Sequence, residues 1–348
     1  MSADATIRAA LAQVVEGRSL GEPEAHEVMT SIMRGEGTAS QVAGLLVALR
    51  MKGESVDEIS GFARAMREAC KAIHPKVQGR LVDTCSTGGA RVKCFNVGTT
   101  AAFVAAAAGV PVAKHGNRGV TRPSGSADVL EALGADITLR PEQVQRVIEQ
   151  VGVGFLFSPA FHPAMVHPLV PRREMGIRTV FNILGPLCNP AGAKGQVLGC
   201  YDARWVEPMA EALLRLGTEH AMVVHGEGGL DELSVIGPTR VITVEAGRLR
   251  ASTLDARDLG LARAKSEDIA GMAPKESAAE ARRILAGGEG ARADMVLLNA
   301  AAAIYVGAKA ASLEAGLVQA RDAVRTGAAL KKLEAFVAAT REEHGHPR

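Results

Sequence analysis

At 348 residues the chain is longer than a typical single domain, which predicts either one large domain or a large one carrying a smaller one. Its 40 lysines and arginines nearly balance 38 aspartates and glutamates, so no overall field draws it to nucleic acid or a membrane, and a basic site must be local. Cys70, Cys85, Cys94, Cys188 and Cys200 form no CxxC pair and no zinc-ligand spacing; with no signal-peptide pattern and no membrane-length apolar run, they read as reduced thiols of a cytoplasmic protein.

Up to about residue 75 every signal is helical. Pro23 sits where a helix's first turn tolerates it, and Ile32, Met33 and Gly35 close that segment. SQVAGLLVALRMKG reads as a second helix ending at Gly53. Ser55 and Glu58 then make a capping-box pattern ahead of Ile59, Phe62, Ala63 and Met66 at helical spacing. Residues 1–75 are therefore expected to form a small helical domain. From residue 80 short apolar runs end in glycine and lead into helical stretches: LVDTCSTGG, VPVAKHGN, ADITL, GFLFSP, QVLGCYD and AMVVHGEG. That texture predicts an α/β domain over 76–348 with a mostly parallel sheet flanked by helices, its ligand at the carboxyl ends of the strands. Prolines and a basic helix start at about 165–195 read as a return excursion to the helical lobe, with Gly185-Pro186 and Asn189-Pro190 as hinge positions. The chain from about 275 is again helical and alanine-rich.

Four segments carry chemistry. In DTCSTGGARVKCFNVGTT a strand ends at Asp83-Thr84 and a helix begins near Thr99; amides freed by glycine and by the helix start favour an anion, with Asn96 and Thr99 as side-chain donors and Arg91 and Lys93 as charge. A lone Gly-Gly pair is more often an ordinary tight turn. In KHGNRG, Lys114, His115, Asn117 and Arg118 fall within five residues at a second strand end, and two loops in the same context favour a phosphate site. Asp231 and Glu232, adjacent just beyond AMVVHG, suit a hydrated magnesium ion bridged to substrate phosphates, although such a pair alone is more often a solvated turn. Arg172 and Arg173 could hold a carboxylate in a bidentate fork, or face solvent or a structural acid. Cys85 and Cys94 lie in an electropositive loop of the kind that favours thiolates, without a geometric partner for redox chemistry.

Taken in order, these segments resemble the anthranilate phosphoribosyltransferase family from about residue 7 to 340. The likeness is carried by IMRGE, KHGNR, SGSADVLEALG, GFLF with FHPAM, RREMGIRTVFNILGPLCNPAG and GLDELS. Pyrimidine nucleoside phosphorylases share the general architecture, but their KHSTGG-type signature is absent. The resemblance implies a small N-terminal helical domain, a larger α/β domain, an active site between them and a homodimer through the helical lobe. It implies transfer of the phosphoribosyl group of 5-phosphoribosyl 1-pyrophosphate to anthranilate, in tryptophan biosynthesis, with Mg2+ and without nucleic acid or membrane partners.

By motif position Ser86, Gly88, Gly89, Asn96, Thr99, Lys114, Asn117 and Ser126 look like contacts of the phosphoribosyl donor. Asn117, Arg172 and His162 look like anthranilate contacts, Asp231 and Glu232 like magnesium ligands. Arg172, orienting the anthranilate carboxylate, and His115, a candidate proton acceptor, are the expected catalytic residues. The first loop departs from the family: Ser86, Ala90, Arg91, Cys94 and Gly98 stand where Gly, Asp, Gly, Thr and Ser are usual, and Arg122 and Pro123 replace serine and lysine in the second. Gly98 removes a hydroxyl expected to ligand one magnesium ion. Arg91, Lys93 and Arg122 are expected to make the site more basic and partly replace that ion. Two other readings remain open at this point: a related phosphoribosyltransferase with a different aromatic acceptor, because Ser86 falls near the meeting place of the substrates, and a noncatalytic nucleic-acid-binding relative.

Overall fold

The structure is a computed structural model and describes residues 3–119 and 123–345. Four helices come first: α1 (Ala3–Val15), α2 (Glu22–Met33), α3 (Ala39–Lys52) and α4 (Val56–Glu68). Their starts are set by side chains that replace missing helical acceptors. The Thr38 hydroxyl accepts from the Gln41 amide while Gln41 accepts from the Thr38 amide, and Ser55 and Glu58 repeat the arrangement for α4. The buried Glu58 carboxylate also takes the Lys52 ammonium at 2.9 Å and the Leu20 amide at 3.0 Å, so its burial is compensated.

The remaining helices are α5 (Val97–Ala107), α6 (Ser126–Ala132), α7 (Pro141–Val151), α8 (Ser158–Phe161), α9 (Leu169–Met175), α10 (Phe181–Leu184), α11 (Val206–Arg215), α12 (Pro274–Leu285), α13 (Ala291–Val306), α14 (Leu313–Arg325) and α15 (Ala328–Gly345). They surround a seven-stranded sheet of β1 (Val82–Ser86), β2 (Val112–Gly116), β3 (Val153–Phe157), β4 (Gly195–Gly199), β5 (His220–Gly226), β6 (Thr239–Glu245) and β7 (Arg248–Leu254). The strand order is β3-β2-β1-β4-β5-β6-β7. The five strands from β3 to β5 pair in parallel, and β6 and β7 add an antiparallel hairpin. Chain order reverses between β1 and β4, and at such a switch point the crevice beyond the strand ends opens for a ligand.

Alternate strand residues enter two cores. Val197, Met222, Val224 and Val241 pack with the small side chains of α5 and α13, whereas Leu198, Ala221, Val223, Ile242 and Val244 pack with α11 and with α1 to α4. The apolar stripe of the helical lobe is thus continuous with one face of the sheet, and α9 lies against α3.

One expectation about strands is corrected, and one pair of strands is added to those expected. ADITL is not a strand: Ala135, Ile137 and Leu139 are buried, but the Asp136 amide donates to the Thr340 hydroxyl and the Thr138 amide to the Asp136 carboxylate, so no ladder forms. The β6–β7 hairpin was not anticipated. Its turn residues Ala246 and Gly247 both have positive φ, 49° and 73°, the two-residue geometry whose twist matches the strands it joins.

Candidate active site

At the switch point, β1 and β4 end side by side, with Ser86 opposite Gly199. The chain leaves β1 through Gly88 and Gly89, whose φ values of +64° and +84° favour glycine. This turn is anchored by the Thr87 amide on the Gly199 carbonyl at 2.9 Å and by the Tyr201 amide on the Thr87 hydroxyl at 3.0 Å. Behind it, Asn96 accepts from the Ser124 and Ser277 hydroxyls at 2.7 and 2.8 Å and donates to the Ser124 carbonyl, which fixes the entry to α5. Thr99 then ties α5 to α6 through the Ser126 hydroxyl at 3.0 Å.

The second loop is pinned as firmly. Buried Asp83 accepts the His115 amide at 3.1 Å and Asn189 Nδ2 at 2.8 Å; burial raises its pKa, and nearby Lys114 opposes that shift. Lys114, itself buried, donates to the Thr84 carbonyl across β1 and β2. Asp128 accepts the Gly119 and Gly125 amides, each at 2.8 Å, and with Glu131 holds the Arg118 guanidinium.

These loops line a cavity of about 390 Å³, large enough for small-molecule substrates. Of the expected site residues, Ser86, Gly88, Gly89, Asn96 and Thr99 face it from the first loop and α5, and Lys114, His115, Asn117 and Ser126 from the second loop and α6; Arg172 of α9 and Glu232, which lies against Gly98 and Lys114, also line it. Its basic residues are Lys114, Arg118, Arg172 and Arg178, against one carboxylate, Glu232, among the described lining residues.

Two expected residues do not line the cavity. His162 stacks behind His115, ring centroids 5.0 Å apart. Burial lowers both histidines, His115 to about 3 and His162 to about 4, so both are neutral at physiological pH. His115 Nε2 meets the Ser158 hydroxyl at 2.9 Å. Asp231 is wholly buried, its backbone so close to Gly199 that a Cβ there would fall 1.7 Å from the Asp231 carbonyl oxygen. The turn that presents Glu232 is clamped by Asn299 of α13, which accepts the Leu233 amide at 3.0 Å and donates to the Leu233 carbonyl at 2.9 Å.

The donor set fits a magnesium ion. Among the described residues no group of three His, Cys, Asp or Glu side chains surrounds a cation. Glu232 offers one hard carboxylate to the cavity while the adjacent Asp231 is buried, a set that suits an ion held by one or two protein carboxylates and completed by waters and phosphate oxygens.

The extra cations of the departed loop lie elsewhere. The Arg91 side chain packs on Gly229, and the Lys93 ammonium donates to the Ala90 carbonyl; neither lines the cavity, and Arg122 lies outside the described residues. A thiolate at Cys85 is also excluded, because burial and neighbouring Asp83 push its pKa well up. Sequence reasoning missed Arg178, Ser158 and Asn182, all lining the cavity. Arg178 lies six residues past Arg172 in the same basic segment, the one signal that pointed to it.

Comparison with known proteins follows the same division. Residues 8–70 match the helical bundle domain of a glycosyl transferase family and residues 78–330 its a/b domain. The anthranilate phosphoribosyltransferase of Thioalkalivibrio sulfidiphilus is 52% identical over 302 residues, 85% of this chain and 88% of that one. The crystal structure of the Thermus thermophilus enzyme superposes with a TM-score of 0.90 at 48% identity, covering 95% of this chain and 99% of that chain. The Saccharomyces cerevisiae enzyme in complex with PRPP and Mg superposes at 0.87 with 26% identity, covering 97% and 99%.

Proposed function

The chain belongs to the anthranilate phosphoribosyltransferase family, and from that premise we propose that its cavity at the β1–β4 switch point transfers the phosphoribosyl group of 5-phosphoribosyl 1-pyrophosphate to the amine of anthranilate. The observation that carries this reading is one cavity joining two glycine loops with, among the described lining residues, four basic side chains against one carboxylate, Arg118 alone of the four being already held in ion pairs, by Glu131 and Asp128. Such a surplus suits a ligand with several phosphate charges and a second with a carboxylate.

The bond between the anomeric carbon and the pyrophosphate oxygen breaks, its electron pair leaving with pyrophosphate, and the amine nitrogen bonds to that carbon. No covalent nucleophile is needed; alignment and stabilisation of the leaving group do the work. Ser86, the amides of Gly88 and Gly89, Asn96, Thr99, Lys114, Asn117 and Ser126 are assigned to the donor. Asn96 has its carboxamide oxygen committed to two serines, so it can offer only an N–H. Arg172, its guanidinium carbon 4.9 Å above the Phe181 ring, is assigned to the anthranilate carboxylate, and Asn117 is assigned to anthranilate as well.

His115 and His162 supply a neutral wall that does not compete with Arg172 for the carboxylate. An aromatic amine is already neutral at cytosolic pH and its nitrogen is strongly acidic after attack, so a base as weak as His115, or water, suffices for the proton. Mg2+ held by Glu232 and Asp231 would supply positive charge to the departing pyrophosphate.

Assignment of the helical lobe to 1–75 with a return at about 165–195, and of the α/β lobe to 76–348, is supported by α9 packing on α3. Exposed Val15 and Met51, at 68% and 83%, on α1 and α3 support a homodimer through that lobe. Cytoplasmic residence is supported by five cysteines that no disulfide joins; among the described residues no helix is long and apolar enough to cross a membrane. The direct test measures pyrophosphate release with and without anthranilate. Release that depends on anthranilate is expected; release driven equally by substituted benzoates lacking the amine, or none at all, would overturn the assignment.

A further inference from the structure

Arg178 lies between α9 and α10, outside both glycine loops. Its guanidinium carbon stands 4.0 Å from the centroid of the Tyr201 ring. That ring is fixed in turn, the Tyr201 amide on the Thr87 hydroxyl at 3.0 Å and its own hydroxyl accepting Trp205 Nε1 at 3.2 Å. From this platform Nη2 donates to the Gly88 carbonyl at 3.3 Å and reaches the Thr87 carbonyl at 3.5 Å. A Cβ at Gly89 would fall 2.1 Å from Nη1, so the guanidinium occupies the space that glycine leaves.

The peptide plane gives this contact a consequence. In a trans peptide the carbonyl of one residue and the amide of the next point in opposite directions. Carbonyls 87 and 88 turned toward Arg178 therefore send the amides of Gly88 and Gly89 the other way, and neither amide has a protein acceptor among the described residues. Arg118 is held by Glu131 and Asp128, whereas no carboxylate pairs with Arg178 among the described residues, and its buried Nε has no hydrogen-bond partner.

We propose that Arg178, stacked on Tyr201, is the positioning residue of the Gly88–Gly89 turn: it aims the two glycine amides at the diphosphate of the phosphoribosyl donor and thereby sets affinity for that substrate rather than for the acceptor. This rests on the assignment of the cavity to 5-phosphoribosyl 1-pyrophosphate. Lysine keeps the charge but loses both the planar stack and the forked donors, so it does not replace arginine here.

The experiment compares wild type, Arg178→Lys and Arg178→Ala by calorimetry with 5-phosphoribosyl 1-pyrophosphate and by steady-state kinetics on both substrates, with thermal melting as a check of folding. Loss of the brace is expected to raise Kd and KM for the donor about tenfold or more in both variants, with the KM for anthranilate within about twofold of wild type. Wild-type donor affinity in Arg178→Lys would overturn the proposal, since charge alone would then suffice, and so would a rise confined to the anthranilate KM. If Arg178→Ala fails to fold, Arg178→Lys decides between these outcomes. Failure of wild type itself to bind the donor would instead overturn the assignment of the cavity.

Discussion

Gly98, near the start of α5, is small where bulk would be tolerated. A Cβ there would meet Glu232 Oε1 and the Thr84 carbonyl at 3.6 Å and Lys114 Nζ at 3.7 Å, all ordinary contact distances, and its backbone is not left-handed. Gly98→Ser therefore places a hydroxyl between the candidate metal carboxylate and the buried ammonium without strain, and it improves helix propensity. The variant is expected to lower the half-saturating Mg2+ concentration about two- to tenfold, the worth of one added ligand or hydrogen bond. Activity titrated against Mg2+ checks this, and superimposable curves for the two proteins would refute it. Much of the site was legible at this scale because strand-end glycines with Lys114 just before them, or Asn117 or Asn96 after them, have local meaning. Arg91 and Lys93 misled because nearness in sequence to a glycine turn does not fix direction: beyond Gly89 the chain turns toward Gly229, and the loop is latched there by the Arg91 amide. Arg178 was missed for the opposite reason: its place in the basic segment after Arg172 carries little meaning without Tyr201, which stands just past the end of β4.

Among elements, α2 and α4 make the closest helix contact of the lobe at Gly61. A Cβ at that position would lie 2.4 Å from the Glu22 carbonyl oxygen, 2.8 Å from Ala25 Cβ and 2.9 Å from the His26 amide nitrogen. Two of the three are backbone atoms and cannot swing aside, so a methyl group must push the helices apart. Alanine gains up to about 1 kcal/mol over glycine in helix propensity, but overpacking of a tight contact costs about 1–3 kcal/mol. Gly61→Ala is thus expected to be net destabilising, lowering the urea midpoint; an unchanged or raised midpoint would show that α2 can yield. Helices with caps and regular apolar spacing were readable, as Ser55 and Glu58 illustrate. The strands were readable where an apolar run ended in glycine. ADITL imitates one by alternation alone, since periodicity says which residues are buried and nothing about whether a neighbour offers a ladder. The β6–β7 hairpin has its signal in TRVITVEAGRLRASTL, whose alternation brackets Ala246-Gly247 without the Asn-Gly or Asp-Gly pair that marks such turns most strongly.

The whole molecule couples its site to its stability through two buried histidines. His115 on β2 and His162 just after α8 are held neutral, burial lowering them from the ordinary 6.5 to about 3 and about 4, and the Gly185 carbonyl only partly offsets the shift at His115. In the unfolded chain both protonate near 6.5. Between pH 6.5 and 4 the unfolded state therefore binds more protons than the folded one, and stability rises with pH across that window. The contribution is complete above pH 6.5 and disappears as pH falls through the folded values. By pH 5 each histidine has cost on the order of 2 kcal/mol. Because one core runs from the helical lobe onto the sheet, this loss is felt by the whole fold rather than by one loop. Denaturant unfolding at pH 7.5 and pH 5 is expected to show wild type losing roughly 4 kcal/mol from this pair, and His162→Asn losing about half as much, since only His115 then titrates. Equal losses in the two proteins would mean that His162 is already accessible to protons in the folded state, and that the neutral wall behind the acceptor site is not maintained.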